Sequence, residues 1–505
     1  MTPIELTSTY AQEANYEKGN NMSLRTSGQQ PVKLAKSLTN IDALALGFGA
    51  MIGFGWVVLT GGWIENAGTL GAVAAIVVGG AIMATVGLVY SELTSAMPLA
   101  GGVHQYVLRG LGPRFAFIGS WALVGGYVTI VAFEAVAFPR TVAYIFPAIN
   151  AVPLWDVAGH TVHLTWALIG VIGGLVITWL NVRGVKQASI AQNFTVIFLL
   201  VVGVLMIFGS ATRGEVVNME PFFTPGTAGF FTVLIAIPFL FIGFDVIPQS
   251  AEEVNVPARK IGRLVIISVA MATVWYIMVV MTTSSAMGVD ELAQTDIAVA
   301  DAFGALFNSQ LMANILIAGG IAGILTSWNS LLLGASRLVY SMARTGMLPA
   351  WFGQLHPKYQ TPANALYFLG GLSLVAPFFG ENMLTWLVDS GAPSIIIAYF
   401  MVSVIFIVLR RRDPGMSRPL RIGGAGRGGE MIGWSAIVLT GVLFTVYLPG
   451  MPSALGWQPW LIFAIWWGLG ALFFFRVPTG IKPGPEAGEE VLAAVTQRRQ
   501  AKASH

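Results

Sequence analysis

Apolar stretches long enough to cross a lipid bilayer follow one another through this chain with little polar sequence between them. A spanning helix needs about 20 largely apolar residues. Twelve windows meet that length: 41–66, 71–97, 115–146, 163–182, 189–211, 229–250, 262–288, 311–341, 363–380, 384–409, 431–449 and 456–475, numbered here as spans 1 to 12. In hydrocarbon every backbone polar group must find its partner inside the structure, so runs of this length predict helices. The expected fold is an all-α membrane protein of about twelve transmembrane helices. Of the 505 residues 10% are charged and 55% hydrophobic, too little charge to clothe a water-facing protein of this size. The polar exceptions are the ends, so 1–37 and 477–505 read as tails and 38–476 as one membrane domain.

The chain contains no cysteine, which excludes disulfides, thiolate metal sites and cysteine nucleophiles. Its five histidines are scattered without metal-ligand spacing, and no cofactor is expected. With no intramembrane His, Cys or metal cluster to do chemistry, the chain is not expected to be an enzyme. About forty polar residues precede the first apolar run, unlike a secretory signal.

Basic residues set the orientation. With the N-terminus inside, the inner connections hold Arg109, Arg114, Arg183, Lys186, Arg259, Lys260, Arg263, Arg337, Arg344 and Lys358. They also hold a cluster running from Arg410, Arg411 and Arg412 through Arg418 and Arg421 to Arg427. The tails add Lys18, Arg25, Lys33, Lys36, Arg476, Lys482, Arg498, Arg499 and Lys502, whereas only Arg140 and Arg213 fall on or near the outer side. The outer connection 289–308 carries Asp290, Glu291, Asp296 and Asp301 and no basic residue. Both termini are therefore expected to be cytoplasmic, at a cell (inner) membrane. The net charge of +3 then belongs to topology and lipid headgroups rather than to nucleic acid.

Two spans are expected to be broken. Span 1 reads Gly47-Phe48-Gly49-Ala50-Met51-Ile52-Gly53-Phe54-Gly55-Trp56, and each glycine weakens a helix by roughly 1 kcal/mol relative to alanine. Close packing through small residues is one use of such a stretch. The other is a mid-membrane break that frees backbone N–H groups for an anion. Span 6 reads Pro238-Phe239-Leu240-Phe241-Ile242-Gly243-Phe244-Asp245-Val246-Ile247-Pro248. Its prolines remove ladder hydrogen bonds, and a carboxylate inside a span is expensive without a job. Interrupted helices opening two halves of a five-plus-five arrangement point to a transported solute held between them.

At these residues the chain resembles the amino acid–polyamine–organocation (APC) superfamily of secondary transporters. The resemblance lies in Gly49–Gly55, in Tyr90-Ser91-Glu92-Leu93 with Pro98, Gly101, Gly102 and Tyr106, and in Phe241–Asp245 with Ala251-Glu252-Glu253, Pro257 and Arg259. It continues in Ser336–Arg344, Leu348-Pro349, His356-Pro357-Lys358, Thr361-Pro362, Asp389, Gly391, Ala392 and Arg410–Arg412, in the family's order over about 38–475. The resemblance implies an inverted repeat of spans 1–5 and 6–10, with spans 11 and 12 peripheral. It also implies a substrate carboxylate facing Ala50, Met51, Ile52 and Gly53 beside Gly55, with Phe239, Phe241 and Asp245 on the amine or side-chain side. The segment Gly53-Phe54-Gly55-Trp56 is bulkier than the family's common small-residue version.

The resemblance leaves the coupling ion open. Proton-coupled relatives carry a lysine in span 5, about where this chain has Leu199. In span 8, Thr326 and Ser327 resemble the paired hydroxyls that hold Na⁺ against span 1; bonding back to their own helix is the plainer alternative. Glu134 in span 3 could attract an amine or accept a proton; a structural partner on another span is equally compatible, and Arg140 is poorly spaced for it. Glu92, Glu252, Glu253, Arg259 and Arg337 could latch an inner gate or simply be solvated. Trp56, Trp63 and Trp121 read as packing or lipid-interface residues, with Trp56 the one that could instead contact substrate. The expected function is import of an amino acid or related amine by alternating access coupled to Na⁺ or H⁺. Exchange of two such solutes is the alternative, and a transporter-like sensor a remote one.

Overall fold

The computed structural model describes residues 34, 36–295, 297–424, 426–451 and 454–503, with side chains to 497. The N-terminal tail residues Lys18, Arg25 and Lys33, and Asp296 in the outer connection, lie outside the described residues. What is described is an all-helical membrane bundle with one small hairpin, Pro153–Val157 paired antiparallel with His160–His163.

Span 1 is two helices, Asn40–Met51 and Gly55–Ala67, bent by 43° at the glycine-rich segment. Thr39 and Asp42 start it with a reciprocal capping box, which satisfies two of the N–H groups a helix start leaves bare. Spans 2 to 5 are Thr69–Ala96, Pro113–Ile145, Leu164–Arg183 and Val185–Arg213. Span 6 runs Ala228–Phe241, opens into a turn at 242–245, and resumes for one turn at Val246–Gln249. Spans 7, 8, 10, 11 and 12 are Ala258–Ala286, Gln310–Arg344, Asn382–Arg412, Arg427–Thr445 and Trp457–Phe474. Among the described residues ten helices are long and apolar enough to cross a membrane, and the bent pair of span 1 makes an eleventh.

Span 9 departs from expectation. It is a helix, Ala363–Ser373, followed by a short 3₁₀ turn, Ala376–Phe379. At 1.5 Å per residue such a piece falls short of a hydrocarbon core of about 30 Å. Pro377 near its end prevents the helix from continuing.

Packing follows the five-plus-five division. Span 3 packs on spans 8 and 10, and span 8 packs on spans 3 and 5; spans 2 and 7 pack on each other. Span 2 also covers the first half of span 6, as span 7 covers span 1. Adding or subtracting five exchanges these pairs, as an internal repeat requires. Spans 11 and 12 are peripheral, and little of span 12 is buried. A reciprocal pair ties span 12 to span 3. The Trp121 and Trp466 rings stack 4.4 Å apart, and each indole N–H donates to the other residue's carbonyl at 3.0 Å. Trp56 and Trp63 are also buried.

One end of the bundle is closed by ion pairs. Arg337 of span 8 grips Glu253, just past span 6, through Nε at 2.7 Å and Nη2 at 2.9 Å, both side chains sealed from solvent. Arg410 and Arg418 hold the buried Glu92 at the end of span 2. Arg109, on the connecting helix Gly102–Leu111, pairs with Asp413. The C-terminal helix Ala487–Ala503 packs on that connecting helix, with Val491 and Val495 buried. Much of segment 477–505, expected to be a polar tail, is thus a docked helix.

Candidate functional site

The two breaks meet. A Cβ on Gly243, in the turn of span 6, would stand 2.5 Å from Ala50 Cβ and 2.9 Å from the Met51 nitrogen. Gly243 has φ +140°, which L side chains rarely adopt, so both its conformation and its closeness to span 1 require glycine. A Cβ on Gly55 would fall 2.6 Å from Leu240 of span 6. Tyr276 of span 7 bridges the C-terminal ends of both first halves, its hydroxyl donating to Met51 O at 2.5 Å and facing Leu240 O at 3.3 Å. Those carbonyls carry the negative ends of two short helix dipoles.

Glu134 stands at the other lip of the span 1 break. It is buried, and its Oε1 accepts a hydrogen bond from the Ser327 hydroxyl of span 8. A Cβ on Gly53 would lie 2.5 Å from that oxygen and 2.6 Å from Ser327 Oγ, and the Phe54 amide interacts with the same carboxylate. Oε2 is buried without a hydrogen-bond partner. Arg140 pairs instead with Glu381 at 3.5 Å, so the partner of Glu134 is on another span.

The remaining expected residues take distinct places. Thr326 and Ser327 meet different partners: the Thr326 hydroxyl is 3.0 Å from Gly49 O and 2.8 Å from Gly323 O, while Ser327 turns to Glu134. Asp245 closes its own turn by accepting from Gly243 N at 2.8 Å and is held by Tyr127 at 2.7 Å and Tyr399 at 3.4 Å. Phe239 packs edge-on to Phe133, ring centroids 5.4 Å apart, and Phe241 packs on Tyr276. Ala50, Met51 and Ile52 are buried at the meeting of the two breaks. Beyond Phe133 a cavity of about 290 Å³ extends toward the end opposite the ion pairs, lined by Trp63, Arg140, Glu381, Asp389 and Tyr447 among others.

Sequence reasoning missed a polar chain that crosses four spans. Asn181 donates to Asn329 at 2.9 Å, Asn329 to Gln192 at 3.0 Å, and Gln192 to Ala45 O at 3.1 Å. It links spans 4, 8, 5 and 1 beside the break. Three amides inside apolar spans were the available signal. Asn193 of span 5 also reaches span 1, donating to Asp42 Oδ1 at 2.6 Å.

A helical membrane bundle whose two interrupted helices meet beside a buried carboxylate has the architecture general to transporters with discontinuous helices. A profile of the amino acid permeases matches residues 38–473. The chain belongs to that family, within the APC superfamily. It is 29% identical to the branched-chain amino acid permease BcaP of Bacillus subtilis over 89% of this chain and 94% of that protein. It is also 29% identical to the methylthioribose transporter of Bacillus subtilis, over 88% and 93%. An aspartate–proton symporter of the same organism is 26% identical over 82% and 79%. These relatives are transporters rather than enzymes, and this chain is a multi-pass membrane permease.

Proposed function

We propose that the protein imports an amino acid or a related amine across the cell membrane by alternating access, both termini being cytoplasmic, and that a proton held by Glu134 couples the movement. The observation that carries this reading is Glu134 itself, a buried carboxylate with one free oxygen at the break of span 1. Among the described residues it has no ion-pair partner, and an uncompensated buried charge is expensive. A proton or a substrate ammonium would relieve it. The resemblance to an aspartate–proton symporter supports a proton. The ion pairs at the end expected to be cytoplasmic suit a closed inner gate, with the 290 Å³ cavity on the outer path.

A second reading rests on Thr326, whose hydroxyl meets the Gly49 carbonyl at 3.0 Å. Oxygens of this kind suit a hard cation such as Na⁺, with Thr326 and Ser327 as its candidate ligands. Uptake by purified protein in liposomes separates these readings. Radiolabelled neutral and cationic amino acids and polyamines are offered under an imposed proton gradient or an imposed Na⁺ gradient. Proton-driven accumulation lost in Glu134→Gln is the expected result. Na⁺-driven accumulation lost in Thr326→Ala would move coupling to span 8. Exchange of preloaded solute without accumulation under either gradient would make the protein an antiporter.

A further inference from the structure

The second half of span 1, Gly55–Ala67, starts without a side-chain cap. The first N–H groups of a helix have no acceptor within it, and the helix dipole makes that end attractive to an anion. At this start Glu134 lies against Gly53 and interacts with the Phe54 amide. The protein therefore already places a carboxyl group at this helix start. Only the Ser327 hydroxyl and the Phe54 amide are seen to engage it, and Oε2 is left with no donor.

We infer that Glu134 is a resident stand-in for the substrate's carboxylate: while charged it blocks the N-terminus of Gly55–Ala67, and a proton on its free oxygen opens that place to an amino acid carboxylate. This rests on the import reading and adds an order of events. Two carboxylates cannot share one set of amide donors at contact distance in low dielectric without strong repulsion. Neutral Glu134 is a weaker acceptor than the charged form. The substrate's carboxylate then becomes the better partner for the helix end, so proton and carboxylate bind together. Among the described residues, Tyr276 of span 7 is an ionisable group near enough to feel the charge of Glu134. Span 8 contributes Ser327 there, span 1 the Phe54 amide, and span 6 reaches the neighbouring Phe133 through Phe239. An amine without a carboxylate has no use for the vacated helix end and gains nothing when Glu134 is neutral.

Calorimetric binding to the purified full-length protein at pH 7.5 tests this with two matched pairs. These are leucine against 3-methylbutylamine, and arginine against agmatine. Glu134→Gln imitates the protonated carboxyl. It should tighten the amino acid of a pair about tenfold, the gap between a charge-assisted and a neutral hydrogen bond, while changing its amine less than about twofold. Ser327→Ala, which loosens one tether of Glu134, should move the amino acid in the same direction by less. Wild type should take up a proton from weakly buffered solution on binding the amino acid, and Glu134→Gln should take up none. Weaker binding of both members of a pair by Glu134→Gln would instead make Glu134 the partner of the ammonium and overturn the inference. Unchanged affinity for both, in a variant with the wild-type melting curve, would overturn it equally. If wild type binds none of the four and transports no related solute, the import reading falls and takes this inference with it.

Discussion

Glu253→Gln separates a gate latch from a structural staple. The Glu253 carboxylate receives two hydrogen bonds from one guanidinium, and the pair is buried, at 1% and 0% exposure. Removing one partner of such a pair strands the other charge and typically costs about 3–5 kcal/mol. The glutamine keeps one acceptor oxygen but no charge and turns an NH₂ toward the guanidinium, so Arg337 loses its countercharge and one of its two acceptors there and keeps its bond to Ser336 Oγ at 2.9 Å. If the pair parts and hydrates when the inner side opens, that penalty falls on the closed form alone. It would then shift the closed-to-open equilibrium by roughly two to three and a half powers of ten, at 1.4 kcal/mol per decade. The absence of native cysteine makes the measurement clean. Ser250→Cys is almost isosteric at a buried position just before Glu253, and its maleimide labelling rate reports opening. Glu253→Gln should raise that rate at least about a hundredfold until the open form dominates, and the exchange Glu253→Arg with Arg337→Glu should bring it back down. A labelling rate within about twofold of background, together with a melting temperature lowered by the full penalty, would refute the latch and leave Arg337–Glu253 a staple of the fold.

Other outcomes follow from the same geometry. Gly53→Ala places a methyl 2.5 Å from Glu134 Oε1 and 2.6 Å from Ser327 Oγ, so liposome uptake should be lost while the protein still folds, as size-exclusion chromatography would report. Tyr276→Phe deletes the hydroxyl that ties Met51 O to Leu240 O. About 1 kcal/mol per lost bond should appear as a lower melting temperature and faster labelling of a cysteine placed at Ala50. His104 on the connecting helix is buried between Ser120 and Thr345, and burial pushes its pKa down to about 3 from 6.5. The unfolded chain binds this proton first as pH falls, so the contribution is intact above about 6.5 and is lost on the way to about 3, by about 1.4 kcal/mol per pH unit. Melting curves across that range should show the slope, and His104→Gln should flatten it.

Much of the architecture was legible because its causes are local. Hydrophobic runs of spanning length located eleven spans within a few residues, and the glycines of 47–55 and the prolines around 238–248 located both breaks. Span 9 was legible as an apolar run but not as a short one, because composition alone does not show where Pro377 ends the helix. Thr326 and Ser327 show the limit of reading by neighbourhood. Adjacent residues on a helix point about 100° apart, so one hydroxyl faces Gly49 and the other Glu134.

By itself the sequence determined that this chain lives in lipid, that it is helical, that spans 1 and 6 are interrupted, and which family it resembles. Each of these depends on residue type and spacing along a single segment. Tertiary structure alone decided the partners. Ser327 reaches Glu134 across 193 residues, Gln192 reaches span 1 across 147, and Arg337 finds Glu253 rather than Glu252. Asp245 turned out to be held by Tyr127 and Tyr399. A buried polar group must be satisfied by whatever the fold brings within about 3 Å, and that is a property of how helices cross, which the order of residues along one helix does not contain.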